Sequence, residues 1–313
     1  MTDRVVTAFA PATVSNVACG FDVLGFPMEE PGDTVSARLL PAGAGVQIDD
    51  IRNDGGHIPR QPERNTASVA ARALLDALGE KRGVALTITK GLPLASGLGG
   101  SAASAAAAVV AVNALVGGNA SIDQLVAAAL LGEGLGKGGA HPDNIAPAIC
   151  GGFVLVRHPH PPDIVRLPVP NGLTVVLVHP DIEIVTSQAR ALLGTTVLLS
   201  DAVKQWANLG ALVDGLHRSD FALISRSLVD SIAEPKRAPL IPGLASIKQA
   251  AMDAGALGCS ISGSGPSIFA LCQDRAIAER VAPAMTAAVT AAIGVTSQTY
   301  VSSISTRGAH VIS

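Results

Sequence analysis

Apolar and polar positions change period several times along the chain, and each change marks an element boundary. Strand-like runs occupy Val5–Ala10, Phe21–Phe26, Asp33–Leu40 and Gly45–Ile51. A Pro/Ser/Asn loop separates the first two, and the turn-forming Pro41–Gly45 separates the last two. Gly55–Arg64 is polar and reads as a loop. From Asn65 the apolar positions shift to helical spacing (Val69, Ala73, Leu74, Leu78) and stop at Gly79. Gly83–Thr89 alternates as a strand, Gly91–Gly100 is a glycine-rich turn, and an Ala/Val run from Ser101 predicts an apolar helix. Ser121–Leu131 predicts another, with Ser121 and Gln124 at capping-box spacing. Gly132–Asn144 reads as a loop carrying Glu133, Lys137, His141 and Asp143, and strand character resumes over Gly151–Val156.

The Pro/His-rich turn His158–Asp163 marks a boundary between two halves. Beyond it the pattern predicts a buried strand at Leu173–His179 and helices around Ser187–Leu193, Ser200–Leu216 and Asp220–Ser231. A helix over Leu244–Ala254, a strand–turn–strand over Gly258–Leu271 and a helix from Asp274 follow. Antiparallel-type strands mixed with helices, without a regular βαβ rhythm, predict an α+β fold.

Composition narrows the class. With 48% hydrophobic and 15% charged residues, the 313-residue chain has ample apolar material for a core and does not read as disordered. A net charge of −3, one Trp and one Tyr offer neither the basic stripe nor the stacking aromatics of a nucleic-acid binder. The opening MTDRVVTAFAPATV lacks the apolar core of a signal peptide. Ala102–Val116 is too short to span a bilayer comfortably and reads as a buried helix. Cys19, Cys150, Cys259 and Cys272 are scattered, without metal-ligand spacing, and read as reduced thiols. A cytoplasmic protein that touches no membrane is the expectation.

The segment Pro93–Ser104, PLASGLGGSAAS, carries the strongest chemical signal. Gly97, Gly99 and Gly100 allow close backbone approach, and the positive end of the following helix suits a phosphate. A tight strand–helix turn is the structural alternative. The segment is neither a Walker loop nor a dinucleotide fingerprint, because the required Lys and Gly spacings are missing. Lys90, just upstream, reads as a solvated strand end. The Gly263–Pro266 turn, taken alone, reads as a hairpin. Glu133, taken alone, reads as a surface carboxylate, and Asn65 as a helix N-cap.

Three segments together resemble the GHMP kinases: Pro11–Phe26 (PATVSNVACGFDVLGF), Pro93–Ser104 and Gly258–Phe269 (GCSISGSGPSIF). They are spread over nearly the whole chain. His141–Phe153 (HPDNIAPAICGGF) and Glu234–Gly243 (EPKRAPLIPG) are similar to the homoserine kinases of that family. The resemblance implies an α+β GHMP kinase fold with two layered parts around one cleft. A ribosomal-protein-like ATP-binding part would cover 1–160 and a ferredoxin-like part 161–313. It implies ATP-dependent phosphorylation of L-homoserine in threonine biosynthesis, with Mg²⁺ as cofactor, and leaves a homodimer open.

By the same resemblance, Pro93, Leu94, Ala95, Ser96, Gly97, Leu98, Gly99, Gly100, Ser101, Ala102 and Ala103 wrap the ATP phosphates, with Asn65 near the adenine. Ser101 and Glu133 hold the Mg²⁺. Arg190 and Arg237 bind the substrate carboxylate, Asp22 and Asp143 face its ammonium, and Asn16 and His141 orient it. Asn16, Asp143 and Asn144 are the residues closest to a catalytic role. Many family members have Ser at the position of Gly100. A kinase for another small alcohol, mevalonate-like or sugar, and a non-catalytic metabolite sensor are the competing readings.

Overall fold

The computed structural model describes residues 4–135 and 139–313, so Lys137 lies outside the described residues. The first part is a seven-stranded sheet. Its central path runs β11 (His310–Val311), β1 (Val5–Ser15), β2 (Leu24–Ala42), β4 (Arg82–Thr89), β3 (Val46–Arg52). A hairpin of β5 (Phe153–Pro159) and β6 (Pro162–Leu167) joins through β2. All pairs are antiparallel except β3–β4. Helices α1 (Thr66–Ala77), α2 (Gly100–Val116), α3 (Ile122–Glu133) and α4 (Pro142–Cys150) pack with this sheet. The second part is a four-stranded antiparallel sheet, β10 (Ser297–Ser303), β7 (Thr174–Pro180), β9 (Ile268–Cys272), β8 (Gly258–Ile261). Helices α5 (Thr186–Ala191), α6 (Leu199–Arg218), α7 (Phe221–Ser227), α8 (Glu234–Arg237), α9 (Leu244–Asp253) and α10 (Arg275–Ile293) complete it.

Every residue of β7 is buried because both faces of its sheet are covered. Val176, Val178, Ile268 and Ala270 pack with α9 and α10 residues such as Ile247 and Met285. Their alternating neighbours Val175, Leu177, Phe269 and Leu271 join the core of the first part. Phe26 stacks edge-on against Phe269 at 6.2 Å, so the two parts are joined by shared apolar packing. Helix α2 is apolar all round, with eleven of its residues buried, and its alanines let neighbouring helices and strands approach closely. Helix α10 is long and apolar enough to cross a membrane by length and composition, yet Ala278, Val281, Met285 and Val289 face the second core.

Two expectations are corrected here. Leu24–Phe26 and Asp33–Leu40 lie on one strand, β2, with Phe21–Val23 a turn ahead of it; β2 stays paired with β1 across an irregularity between Pro11 and Thr13. Between Pro27 and Gly32 the chain bulges without leaving the pairing with β1. A Cβ at Gly32 would lie 2.3 Å from Ala10 O, so the close strand approach there requires glycine. The expected loop Gly132–Asn144 is shorter: Glu133 closes α3, while Asp143 and Asn144 open α4. Pro142 at the first position of α4 is what starts that helix. The capping box of Ser121 and Gln124 forms as expected.

Candidate active site

The glycine-rich loop expected to bind phosphate lies between β4 and α2, and its shape follows from close backbone packing. Gly99 caps α2 in the left-handed conformation without any side-chain cap, which leaves first-turn N–H groups free to point outward. A Cβ on Gly99 would sit 2.1 Å from Thr13 Oγ1, and one on Gly97 would sit 2.6 Å from Ser262 O. Only glycine fits either position. Gly100 differs, since its nearest neighbour would be Lys90 Nζ at 3.6 Å. The turn Ser262–Ser267 braces the loop: Ser262 Oγ donates to Gly97 O at 2.8 Å and Ser267 Oγ to Ser96 O at 2.6 Å. Ser96 Oγ closes the turn on Pro93 O.

Lys90 is not a solvated strand end. It is 4% exposed and paired with the fully buried Asp33, and its ammonium also donates to Gly100 O at 2.8 Å and Ser104 Oγ at 2.9 Å. Gly91 N–H completes the set on Asp33. A buried ion pair with its hydrogen bonds satisfied thus ties β2 and β4 to the start of α2.

Ser101 Oγ, one residue into α2, donates to Glu133 Oε1 at 2.9 Å. Glu133 Oε2 is buried with no partner, and burial pushes this carboxyl up to about 7. The expectation of a surface carboxylate is therefore overturned. Hydroxyl and carboxylate oxygens of this kind are the donors that a hard divalent cation takes. Among the described residues no cluster of three or more His, Cys, Asp or Glu could hold a metal ion.

The opposite end of the cleft is built by the loop Asn16–Asp22. Asn16, Ala18 and Asp22 all adopt positive φ (59°, 45° and 58°), a conformation held by specific bonds. Asn16 Oδ1 accepts from Asp22 N–H at 2.8 Å, Asn16 Nδ2 donates to Gly263 O at 2.8 Å, and Asn16 N–H donates to Asp143 Oδ2 at 3.0 Å. Asp143 is 1% exposed, its Oδ1 has no partner, and burial together with the Asp22 charge pushes it up to about 7. Asp22 is ion-paired to Arg190 at 2.6 Å. Arg237, 4% exposed, donates to Gly263 O at 2.8 Å while its Nε is buried without a partner. Burial holds the His141 imidazole below its usual value, so at neutral pH it is an uncharged ring. Asn16, Asp22, His141, Arg190 and Arg237 line one cleft of about 550 Å³ with the glycine-rich loop, and the buried Asp143 lies behind its wall.

The comparisons with known proteins agree on the family. The family model for the GHMP kinase N-terminal domain matches residues 65–152, and that for the C-terminal domain matches residues 212–291. Homoserine kinase of Chlorobium phaeobacteroides is 49% identical over 99% of this chain and 100% of the relative. Homoserine kinase of Xylella fastidiosa is 45% identical over 97% and 93%. The crystal structure of homoserine kinase from Cytophaga hutchinsonii superposes with a TM-score of 0.94 at 48% identity, covering 100% and 98% of the two chains. The chain belongs to the homoserine kinases of the GHMP kinase family. A mevalonate kinase structure from L. major, 19% identical with a TM-score of 0.71, shares the fold. The reaction class is ATP-dependent phosphoryl transfer to an alcohol.

In this kinase the cleft brings together most of the residues expected to bind. Asn16, Asp22, Asn65, Pro93, Leu94, Ala95, Ser96, Gly97, Gly99, Gly100, Ser101, Glu133, His141, Asn144, Arg190 and Arg237 line it. Leu98, Ala102, Ala103 and Asp143 stand behind its wall, all nearly or fully buried. Asn65 is an N-cap, accepting from Ala67 and Ser68 N–H groups, and sits at the cleft end lined by Ile58 and Pro59. Asn144 spends its amide on Thr13 and Ser15 hydroxyls at 2.7 and 3.0 Å. Sequence reasoning missed Asp33, Thr13 and Ser15, which act only through contacts distant in sequence. It also missed Gln205, whose Nε2 bridges Cys19 O and Asp230, the residue that accepts the N–H groups ahead of α8.

Proposed function

We propose that this kinase transfers the γ-phosphoryl group of ATP, as its Mg²⁺ complex, to the side-chain hydroxyl of L-homoserine. The products are ADP and O-phospho-L-homoserine, an intermediate of threonine biosynthesis. The observation that carries the acceptor is the meeting of two arginines and two aspartates beside one phosphate loop. In the free protein Asp22 occupies Arg190, and Arg237 keeps an unpartnered Nε. A zwitterion satisfies both deficits at once: its carboxylate takes the guanidinium forks, and its ammonium takes the released Asp22 and the unpartnered Asp143 Oδ1. A sugar offers neither charge, and mevalonate offers only one.

Phosphates bind to the free N–H groups of the loop and the start of α2, with the base between Asn65, Ile58 and Pro59. Ser101 and Glu133 are the residues that would hold Mg²⁺, whose charge, when bound, offsets that developing on the β- and γ-oxygens. Asn16 fixes the loop that presents Asp22, and neutral His141 offers a hydrogen bond for the hydroxyl. With Asp143 committed to the ammonium, the hydroxyl proton passes to a γ-phosphate oxygen, which a loose transition state tolerates. Four unpaired, buried cysteines fit a cytoplasmic setting.

A coupled ADP-release assay tests this with L-homoserine, mevalonate, galactose, L-serine and L-threonine, on the wild type and Arg237→Ala. Removing one partner of a buried charge pair costs about 2–5 kcal/mol, so kcat/KM for L-homoserine falls by roughly 30- to 4,000-fold. Equal turnover of all acceptors, or an indifferent variant, refutes the assignment. Absence of any turnover favours a metabolite sensor.

A further inference from the structure

Arg190 and Arg237 reach the cleft from separate elements, α5 and α8, yet both guanidinium groups lie against one aromatic ring. The Phe21 centroid is 5.6 Å from Arg190 Cζ and 5.2 Å from Arg237 Cζ. We propose that Phe21 is a positioning residue for acceptor specificity, its ring being the platform that sets the two arginines as one carboxylate-binding pair. This rests on the L-homoserine reading above.

Two cations drawn to one place repel each other, and something must offset that before the ligand arrives. Asp22 does so for Arg190, but that bond is given up when the substrate ammonium takes Asp22. Gly263 O holds a single nitrogen of Arg237. The ring remains as the contact common to both cations before and after binding. An aromatic face attracts a guanidinium through its quadrupole without using any N–H donor, so the donors stay free for carboxylate oxygens.

The backbone that carries the ring is held on both sides of Phe21. Asp22 beside it is bonded to Asn16, and Cys19 O, two residues before it, accepts Gln205 Nε2 at 3.1 Å. An aliphatic side chain would fill similar space but provide no quadrupole. Chemistry rather than volume therefore separates a platform from a filler.

The test measures KM for L-homoserine, KM for ATP and the melting temperature on Phe21→Leu and Phe21→Tyr. The platform predicts that Phe21→Leu raises KM for L-homoserine between about 5- and 30-fold while KM for ATP stays within about twofold. Phe21→Tyr, which keeps the π-face, stays within about threefold of the wild type. An unchanged KM for L-homoserine in Phe21→Leu overturns the platform alone. So does an equal rise in both KM values, or a loss in Phe21→Tyr as large as in Phe21→Leu. A wild type without preference for L-homoserine overturns the acceptor reading and the platform together.

Discussion

Glu133 and Asp143 are two carboxyls that the fold buries with one oxygen each unpartnered, and this arrangement predicts an inverse relation between stability and activity. Both sit near 7 in the folded protein, raised from ordinary carboxyl values of 4.5 and 3.8, chiefly by burial. A carboxyl raised by folding binds its proton more tightly in the native state. Its stabilising effect is therefore complete below the unfolded value near 4 and is lost as pH rises toward 7. Between pH 5.5 and the folded value, about 1.5 units at about 1.4 kcal/mol each amount to roughly 2 kcal/mol per carboxyl. Glu133→Gln and Asp143→Asn carry neutral isosteres and escape this loss.

The melting-temperature advantage of each variant over the wild type, without nucleotide, should therefore grow by about 4 °C between pH 5.5 and pH 8.5, taking about 2 °C per kcal/mol for a chain of this size. Thermal melts followed by an extrinsic dye measure it directly. Glu133→Gln should also lower kcat by a factor on the order of 100 or more, because charge stabilisation of several kcal/mol is removed. A variant advantage that is flat with pH, or that shrinks at pH 8.5, would refute the reasoning.

Two neighbouring glycines of the phosphate loop should respond in opposite ways: Gly100→Ser fits the open space at that position and leaves kcat/KM within a few-fold, while Gly99→Ala drives a Cβ into Thr13 Oγ1 and abolishes turnover, as steady-state kinetics on both will show. Lys90→Met strands the buried Asp33 charge and should destabilise the protein by about 3–5 kcal/mol in denaturant unfolding, whereas Lys90→Met combined with Asp33→Leu should recover much of that loss.

Local signals carried much of the architecture. Helix α1 begins at Asn65, α3 at the Ser121–Gln124 capping box and α10 at Asp274 because each start is decided by a side chain bonding to a nearby backbone N–H. The phosphate loop was legible because its glycines meet a backbone constraint. What escaped was set by contacts between distant segments. Lys90 looks like a solvated strand end until Asp33, on a neighbouring strand, and Ser104 close around it. Glu133 looks exposed until α3 buries it against Ser101. The runs ending at Phe26 and starting at Asp33 read as separate strands because the continuity of β2 is set by its pairing with β1, which no local signal announces. Phe21 stood inside the first recognised motif, but two arginines far along the chain give the ring its use.

The most direct measurement of the central claim is a competition. The kinase is incubated with Mg-ATP and equal concentrations of L-homoserine, L-serine, L-threonine, mevalonate and galactose, and the phosphorylated products are quantified by mass spectrometry. The account predicts O-phospho-L-homoserine as the dominant product. A phosphorylated sugar or mevalonate in comparable or greater amount would contradict it.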